Sequence, residues 1–225
     1  MGTLGDRNVG IGMTSDRTRA RMVERLRAED IRDEVVLGAI NAVPRHIFVD
    51  EALAIRAYDN VPLPIGHGQT ISQPWVVARM TELARNGRAL DAVLEIGTGC
   101  GYQTAVLARI ARVVYTVERI GALAAKARRN LKALQIRNVH LKHGDGSADL
   151  GQALEVDAIV VTAGATQVPT ALLKYLKPGG RMVIPLASTD EPGTQRLTVI
   201  DAGPGGFREQ TFDAVRFVPL LPGTA

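Results

Sequence analysis

The chain has 225 residues, 46% of them hydrophobic and 22% charged, with a formal net charge of +4. That balance is ordinary for one globular domain with a substantial core, and no apolar run reaches the roughly 18–20 residues that cross a bilayer. The single cysteine, Cys100, excludes an internal disulfide framework, and residues 1–16 carry Gly, Asp and Asn where a signal peptide needs an apolar stretch, so a cytoplasmic location is expected.

Residues 1–16 are polar and glycine-rich and are expected to form a mobile leader. From about Thr18, Val23, Leu26 and Ile31 recur at helical spacing. Arg17, Arg19, Arg21, Arg25 and Arg27 share that helix and supply much of the positive charge, which reads as a solvated face. Val36, Ile40 and Val43 predict a second helix over 33–43, ended by Pro44. Residues 58–74, rich in Pro and Gly, predict a loop, and a helix over 75–84 follows. The middle of the chain alternates: strand 92–96, helix 102–110, strand 113–117, helix 121–134, strand 139–141, strand 157–161, helix 170–176, a turn at 177–180 and strand 181–185. Repeated strand–helix–strand order implies an α/β fold, a mostly parallel sheet with helices on both faces. Strands over 196–200 and 214–219, joined through Gly203-Pro-Gly-Gly206, add an antiparallel element.

Between the first of the central strands and its helix lies Glu95-Ile-Gly-Thr-Gly-Cys-Gly101. In an open parallel sheet, ligands bind beyond the C-terminal strand ends, so a glycine loop here marks the expected site. The dinucleotide fingerprint would need Gly at 102, where this chain has Tyr102, and no phosphate-binding G-K-[ST] is present. Glu118 ends the next strand, where a carboxylate can accept both hydroxyls of a ribose. Asp145, in Gly144-Asp-Gly146 after the third strand, is placed to meet an adenine edge. Cys100 enters a helix N-terminus, which lowers thiol pKa values, and is a candidate redox-sensitive group. His46, His67, His140 and His143 show no metal-ligand spacing, so no metal is expected.

Glu95-x-Gly-x-Gly-x-Gly101 followed by a strand-end Glu118 resembles the signature of class I S-adenosylmethionine methyltransferases, with their Rossmann-like sheet. Gly68-Gln-Thr-Ile-Ser-Gln-Pro74 narrows the likeness to the protein-L-isoaspartate O-methyltransferases. Pro44-Arg45, Phe48-Val49, Gly101-Tyr-Gln103, Leu176-Lys-Pro-Gly-Gly180 and Val215-Arg-Phe-Val-Pro-Leu220 extend it over residues 20–222. The resemblance implies a cofactor, S-adenosylmethionine, held by Glu95, Gly97, Gly99, Gly101, Glu118, Asp145 and Gly146. It implies an active-site Ser72 in a substrate-binding loop of Thr70, Ile71, Gln73 and Pro74. It divides 17–225, one domain, into a helical region with the active-site loop (17–90), a cofactor-binding core (91–186) and C-terminal strands (187–225). Two departures stand out: Cys100 replaces a usual Ser, and Gly164 lies in a segment that is more Ala/Pro-rich in the family, which bears on the substrate rim.

The reaction so implied is methyl transfer to the free α-carboxylate of L-isoaspartyl residues in damaged proteins and peptides. A carboxylate with a pKa near 4 is already ionised at neutral pH, so no general base is needed. Ser72 lacks a G-x-S-x-G elbow and is expected to hold the carboxylate rather than attack. The expected partners are isoaspartyl-containing proteins and peptides, with no nucleic acid or membrane, and the enzyme is expected to be a monomer. The alternatives are a methyltransferase for a small molecule or RNA, the latter calling for a basic patch with interleaved aromatics, and a catalytically inactive binding module of the same fold.

Overall fold

Side-chain caps open the N-terminal helices. The computed structural model describes residues 12–151 and 153–225, so most of the expected leader lies outside it. Gly12–Thr14 form a 3-10 turn, and Ser15 caps α1 (Asp16–Ala28) by accepting from the Thr18 amide. Asp33 caps α2 (Glu34–Ala42) by accepting from Val35 and Val36. Met22, Val23 and Leu26 of α1 and Val36, Leu37 and Ile40 of α2 bury one shared core.

Residues 58–74 hold a hairpin where the sequence predicts only loop. β1 (Leu63–Gly66) and β2 (Gln69–Ile71) pair antiparallel, and His67 and Gly68 both take positive φ at the turn. Pro62 and Pro64 hide the alternation, yet Leu63, Ile65 and Ile71 are buried beneath the hairpin. The chain then enters α3 (Pro74–Arg85), whose Glu82 accepts from the amides of Arg32 and Asp33 and whose Arg85 pairs with Asp33. The helix before the central sheet is thereby tied to the α1–α2 junction.

The central strands are β3 (Leu90–Ile96), β4 (Ala111–Glu118), β5 (Val139–His143), β6 (Val156–Val161), β7 (Leu176–Ala187), β8 (Gln195–Gly203) and β9 (Gly206–Val215). They form one sheet in the order β5-β4-β3-β6-β7-β8-β9, parallel from β5 to β7 and antiparallel thereafter. α4 (Tyr102–Leu107) and α5 (Gly121–Ala133) cross between β3, β4 and β5. Alternation along β3 sends Val93 into the cluster with α3 and Ala92, Leu94 and Ile96 into the opposite one. That opposite face is covered by Leu150, Tyr175 and the four-residue α6 (Thr170–Leu173), shorter than the expected 170–176.

Two C-terminal expectations need correction. The turn at 177–180 is an irregularity inside β7: pairing jumps from Val156↔Leu176 to Ala158↔Arg181. The final strand is β9, not 214–219. Its outward residues are charged and polar, which masks the strand pattern and suits an edge. Beyond Val215 the chain leaves the sheet and runs back along the strand ends, bridging to Gly164 at Pro219.

Candidate active site

A cleft opens beyond the C-terminal ends of β3, β4 and β6, where the connections leave β3 to one side and β6 to the other. Its floor is the loop after β3, where Gly97 has φ +95° and no room for a side chain: an added Cβ would lie 2.4 Å from Thr162 Oγ1. That hydroxyl donates to the carbonyls of Gly97 at 2.6 Å and Ile96 at 3.0 Å, stitching the loop to the end of β6.

Glu118, at the end of β4, is 4% exposed and borders the cleft. Its Oε2 accepts from the Gly99 amide at 2.7 Å and its Oε1 from Ile120 at 2.9 Å. Two backbone donors thus fix the carboxylate, while each oxygen keeps a further lone pair for vicinal hydroxyls. Gly97, Gly99 and Gly146 border the same cleft.

Three of the residues expected at the cofactor, Glu95, Gly101 and Asp145, are not among those that line the cleft. Glu95 shares the face of Val93 and is fully buried; one oxygen accepts from Thr104 Oγ1 at 2.5 Å and Thr116 Oγ1 at 2.6 Å. Burial pushes its carboxyl up to about 8, against the pull of those two hydroxyls and with the Glu118 charge adding to the rise. Gly101 caps α4 with φ +92°, facing Ala127. Asp145 is occupied locally. It accepts from Ser147 N and Oγ at 2.7 and 2.6 Å and from Gly223 N at 2.7 Å. Partial burial works against its charge, but these hydrogen bonds prevail and hold its carboxyl below the usual range. Glu95 and Gly101 support the loop from the interior, and Asp145, partly exposed beside the lining Gly146, holds the tail at Gly223.

The opposite wall comes from the hairpin. Thr70, Ile71 and Ser72 border the cleft, whereas Gln73 and Pro74 turn into α3. Gln73 occupies the cap position of α3 and makes no side-chain capping bond, so Ser72 is not spent as a helix cap. Its hydroxyl has no hydrogen-bond partner among the described residues, and the side chain is half-buried at the rim.

Sequence reading missed the third wall. Val218, Pro219, Leu220 and Leu221 line the cleft, brought there by the C-terminal tail. The Gly164 amide donates to Val218 O at 2.8 Å, and Leu220 N donates to Gly164 O at 2.7 Å. Gln195 clamps Phe217 in both directions, at 2.6 and 3.2 Å. Gly164 has no side chain because the Gln195 amide fills that space; a Cβ there would lie 2.1 Å from its Nε2. The only sequence signal was the motif around Val215–Leu220, which has no chemistry of its own. Cys100 is corrected as well: it is 2% exposed, and burial pushes its thiol up to about 11, the reverse of an activated thiol.

Residues 17–225 match the family model for protein-L-isoaspartate(D-aspartate) O-methyltransferase. A protein-L-isoaspartate O-methyltransferase of Nitrosomonas eutropha is 57% identical over 220 residues, spanning 97% of both chains. A solved protein-L-isoaspartate O-methyltransferase superposes with a TM-score of 0.79 at 26% identity, over 89% of this chain and 65% of that one. A Plasmodium falciparum protein described as a candidate of the same activity, solved with S-adenosyl-L-homocysteine, gives 0.76 at 25% identity over 90% of this chain and 98% of its own. The chain belongs to the protein-L-isoaspartate(D-aspartate) O-methyltransferase family, S-adenosylmethionine-dependent enzymes that methylate isoaspartyl residues of proteins.

Proposed function

We propose that the cleft performs this transfer on the free α-carboxylate of L-isoaspartyl residues, with Glu118 and the Gly97–Gly99 backbone on the cofactor side and Ser72 on the substrate side. The observation that carries the reading is the pairing across one cleft of a carboxylate fixed by two amides with a serine hydroxyl that has no partner among the described residues. The residues present fit S-adenosylmethionine: a diol acceptor at Glu118, and a loop without side chains at Gly97 and Gly99. When bound, that cofactor supplies an electrophilic methyl group on a cationic sulfonium.

The chain's own work is positioning. Ser72 donates its hydroxyl proton to one oxygen of the substrate carboxylate and so holds the other toward the cofactor side. The carboxylate is ionised at neutral pH and needs no base. Ile71, Leu220 and Leu221 present apolar surface around it, which excludes water and strengthens that single polar contact. Thr70 stands beside Ser72 as a second hydroxyl at the rim.

The same reading makes residues 17–225 one domain and the protein a cytoplasmic monomer that acts on polypeptides, without nucleic acid or membrane. Arg208, Glu209 and Asp213 charge the β9 edge, which supports the monomer. A lone buried thiol suits a reducing compartment. Methyl transfer from labelled S-adenosylmethionine is the test. An isoaspartyl peptide is expected to accept label while the matching L-aspartyl peptide and an RNA oligonucleotide do not; equal labelling of the aspartyl peptide, or labelling of RNA alone, would overturn the reading.

A further inference from the structure

The positive charge of the chain is concentrated. Residues 119–144 contain seven Lys and Arg and no Asp or Glu, so with a total of +4 everything outside them sums to −3. Two of the five α1 arginines are ion-paired, Arg19 with Asp16 and Arg27 with Glu24 and Glu34, and Arg25 donates to Tyr58 O.

The fold wraps this segment around one place. α5 and the edge strand β5 border an open groove outside the cleft, and Arg128, Lys132, Arg137, His140, Lys142 and His143 line it, all exposed. No carboxylate is among its lining residues, and none of its lysines or arginines has an ion-pair partner among the described residues. Arg128 and Lys142 donate only to backbone carbonyls, of Leu141 and Leu150. Between the cations the groove is apolar, with Leu131, Ile136, Val139 and Leu154.

We propose that this groove is a docking surface for acidic polypeptide segments of the protein's clients, separate from the cleft that binds the isoaspartyl residue. The proposal rests on the polypeptide-directed activity above. Charge complementarity requires an anionic partner, and two features favour polypeptide over nucleic acid. Among the described lining residues Tyr115 is the one Phe, Trp or Tyr, and its ring is already stacked on His140 at 5.2 Å, so the groove lacks the run of aromatic platforms on which successive bases stack. The apolar floor offers seats for side chains, and β5 leaves the outer edge of the sheet unpaired.

The test uses the full chain and three isoaspartyl peptides, identical except for Glu-rich, Ser/Gly-rich or Lys-rich flanks. At low salt the Glu-flanked peptide is expected to show a KM about fivefold or more below that of the Ser/Gly peptide, and the gap to close at about 300 mM salt. The triple variant Arg128→Gln, Lys132→Gln, Arg137→Gln is expected to lose the preference while keeping kcat, the KM for the Ser/Gly peptide and cofactor affinity. The double variant Arg128→Lys, Arg137→Lys keeps the charge and is expected to keep the preference. Binding of a fluorescent Glu-rich peptide without isoaspartate, measured by anisotropy, reads the groove without the chemistry. Absence of a flank preference in the parent, or its survival in the Gln variant, overturns the proposal. So does anisotropy in which an RNA oligonucleotide binds in a groove-dependent way and the Glu-rich peptide does not. Failure of all three peptides to be methylated would count instead against the activity, and the anisotropy arm would still decide the groove.

Discussion

Glu118 is held by the amides of Gly99 and Ile120 and borders the cleft. Glu118→Ala removes charge-assisted hydrogen bonds worth about 1.5–3 kcal/mol, so calorimetry is expected to show S-adenosylmethionine binding weakened by about one to two powers of ten. Affinity within twofold of the parent would remove Glu118 from the cofactor site. Glu95 makes a different prediction. A carboxyl that binds its proton more tightly folded than unfolded stabilises the fold fully below its unfolded value near 4.5, and that contribution is lost as pH rises to about 8. Glu95→Gln keeps an acceptor for Thr104 and Thr116 and cannot ionise. Its Tm relative to the parent is therefore expected to climb between pH 5.5 and 8.5, and a constant difference would show that Glu95 titrates normally. The glycine-loop spacing and the strand-end position singled out Glu118 in the sequence, and the fold sets it at the border of the cleft. Glu95, from the glycine-loop motif, and Asp145, from Gly144-Asp-Gly146, do not line the cleft, and the sequence could not show that Thr104 and Thr116 engage the one and Ser147 and Gly223 the other.

Among the elements, the long parallel strands were legible because residues buried on both faces read as unbroken apolar runs. The β1–β2 hairpin was not, since strands of four and three residues broken by Pro64 carry too little alternation to register. β9 was displaced for the opposite reason: an edge strand exposes most of its side chains, so Arg208, Glu209, Gln210 and Thr211 read as loop. The tail is the element with the largest functional consequence. Its seat depends on Gln195 holding both the amide and carbonyl of Phe217 in the space that Gly164 leaves open. Gly164→Ala forces that amide aside and forfeits two hydrogen bonds, together about 1–3 kcal/mol. The expected result is a Tm lower by about 2–4 °C for each kcal/mol lost, with a raised KM for isoaspartyl peptide because Leu220 and Leu221 leave the cleft wall. An unchanged Tm and KM would show that the clamp does not hold the tail.

At the scale of the whole molecule, three parts of the chain, packed into one fold, converge on one cleft. The N-terminal helices and hairpin bring Ser72, the parallel core brings the glycine loop and Glu118, and the antiparallel end returns the tail. The order of elements could be read along the chain, but the convergence could not. It depends on Asp145 and Arg119 holding Gly223, and on backbone bonds from Ala225 to Arg119 and Gly121, all between positions far apart in sequence. The division of labour across the cleft is most directly tested at Ser72. Turnover on isoaspartyl peptide, cofactor affinity and Tm are measured on one preparation of parent and Ser72→Ala. Loss of a donor to a buried carboxylate costs about 1.5–3 kcal/mol, or about one to two powers of ten in turnover, with cofactor affinity and Tm close to the parent's. Unchanged turnover per folded molecule, whether or not Tm falls, would contradict the placement of Ser72 at the reacting carboxylate.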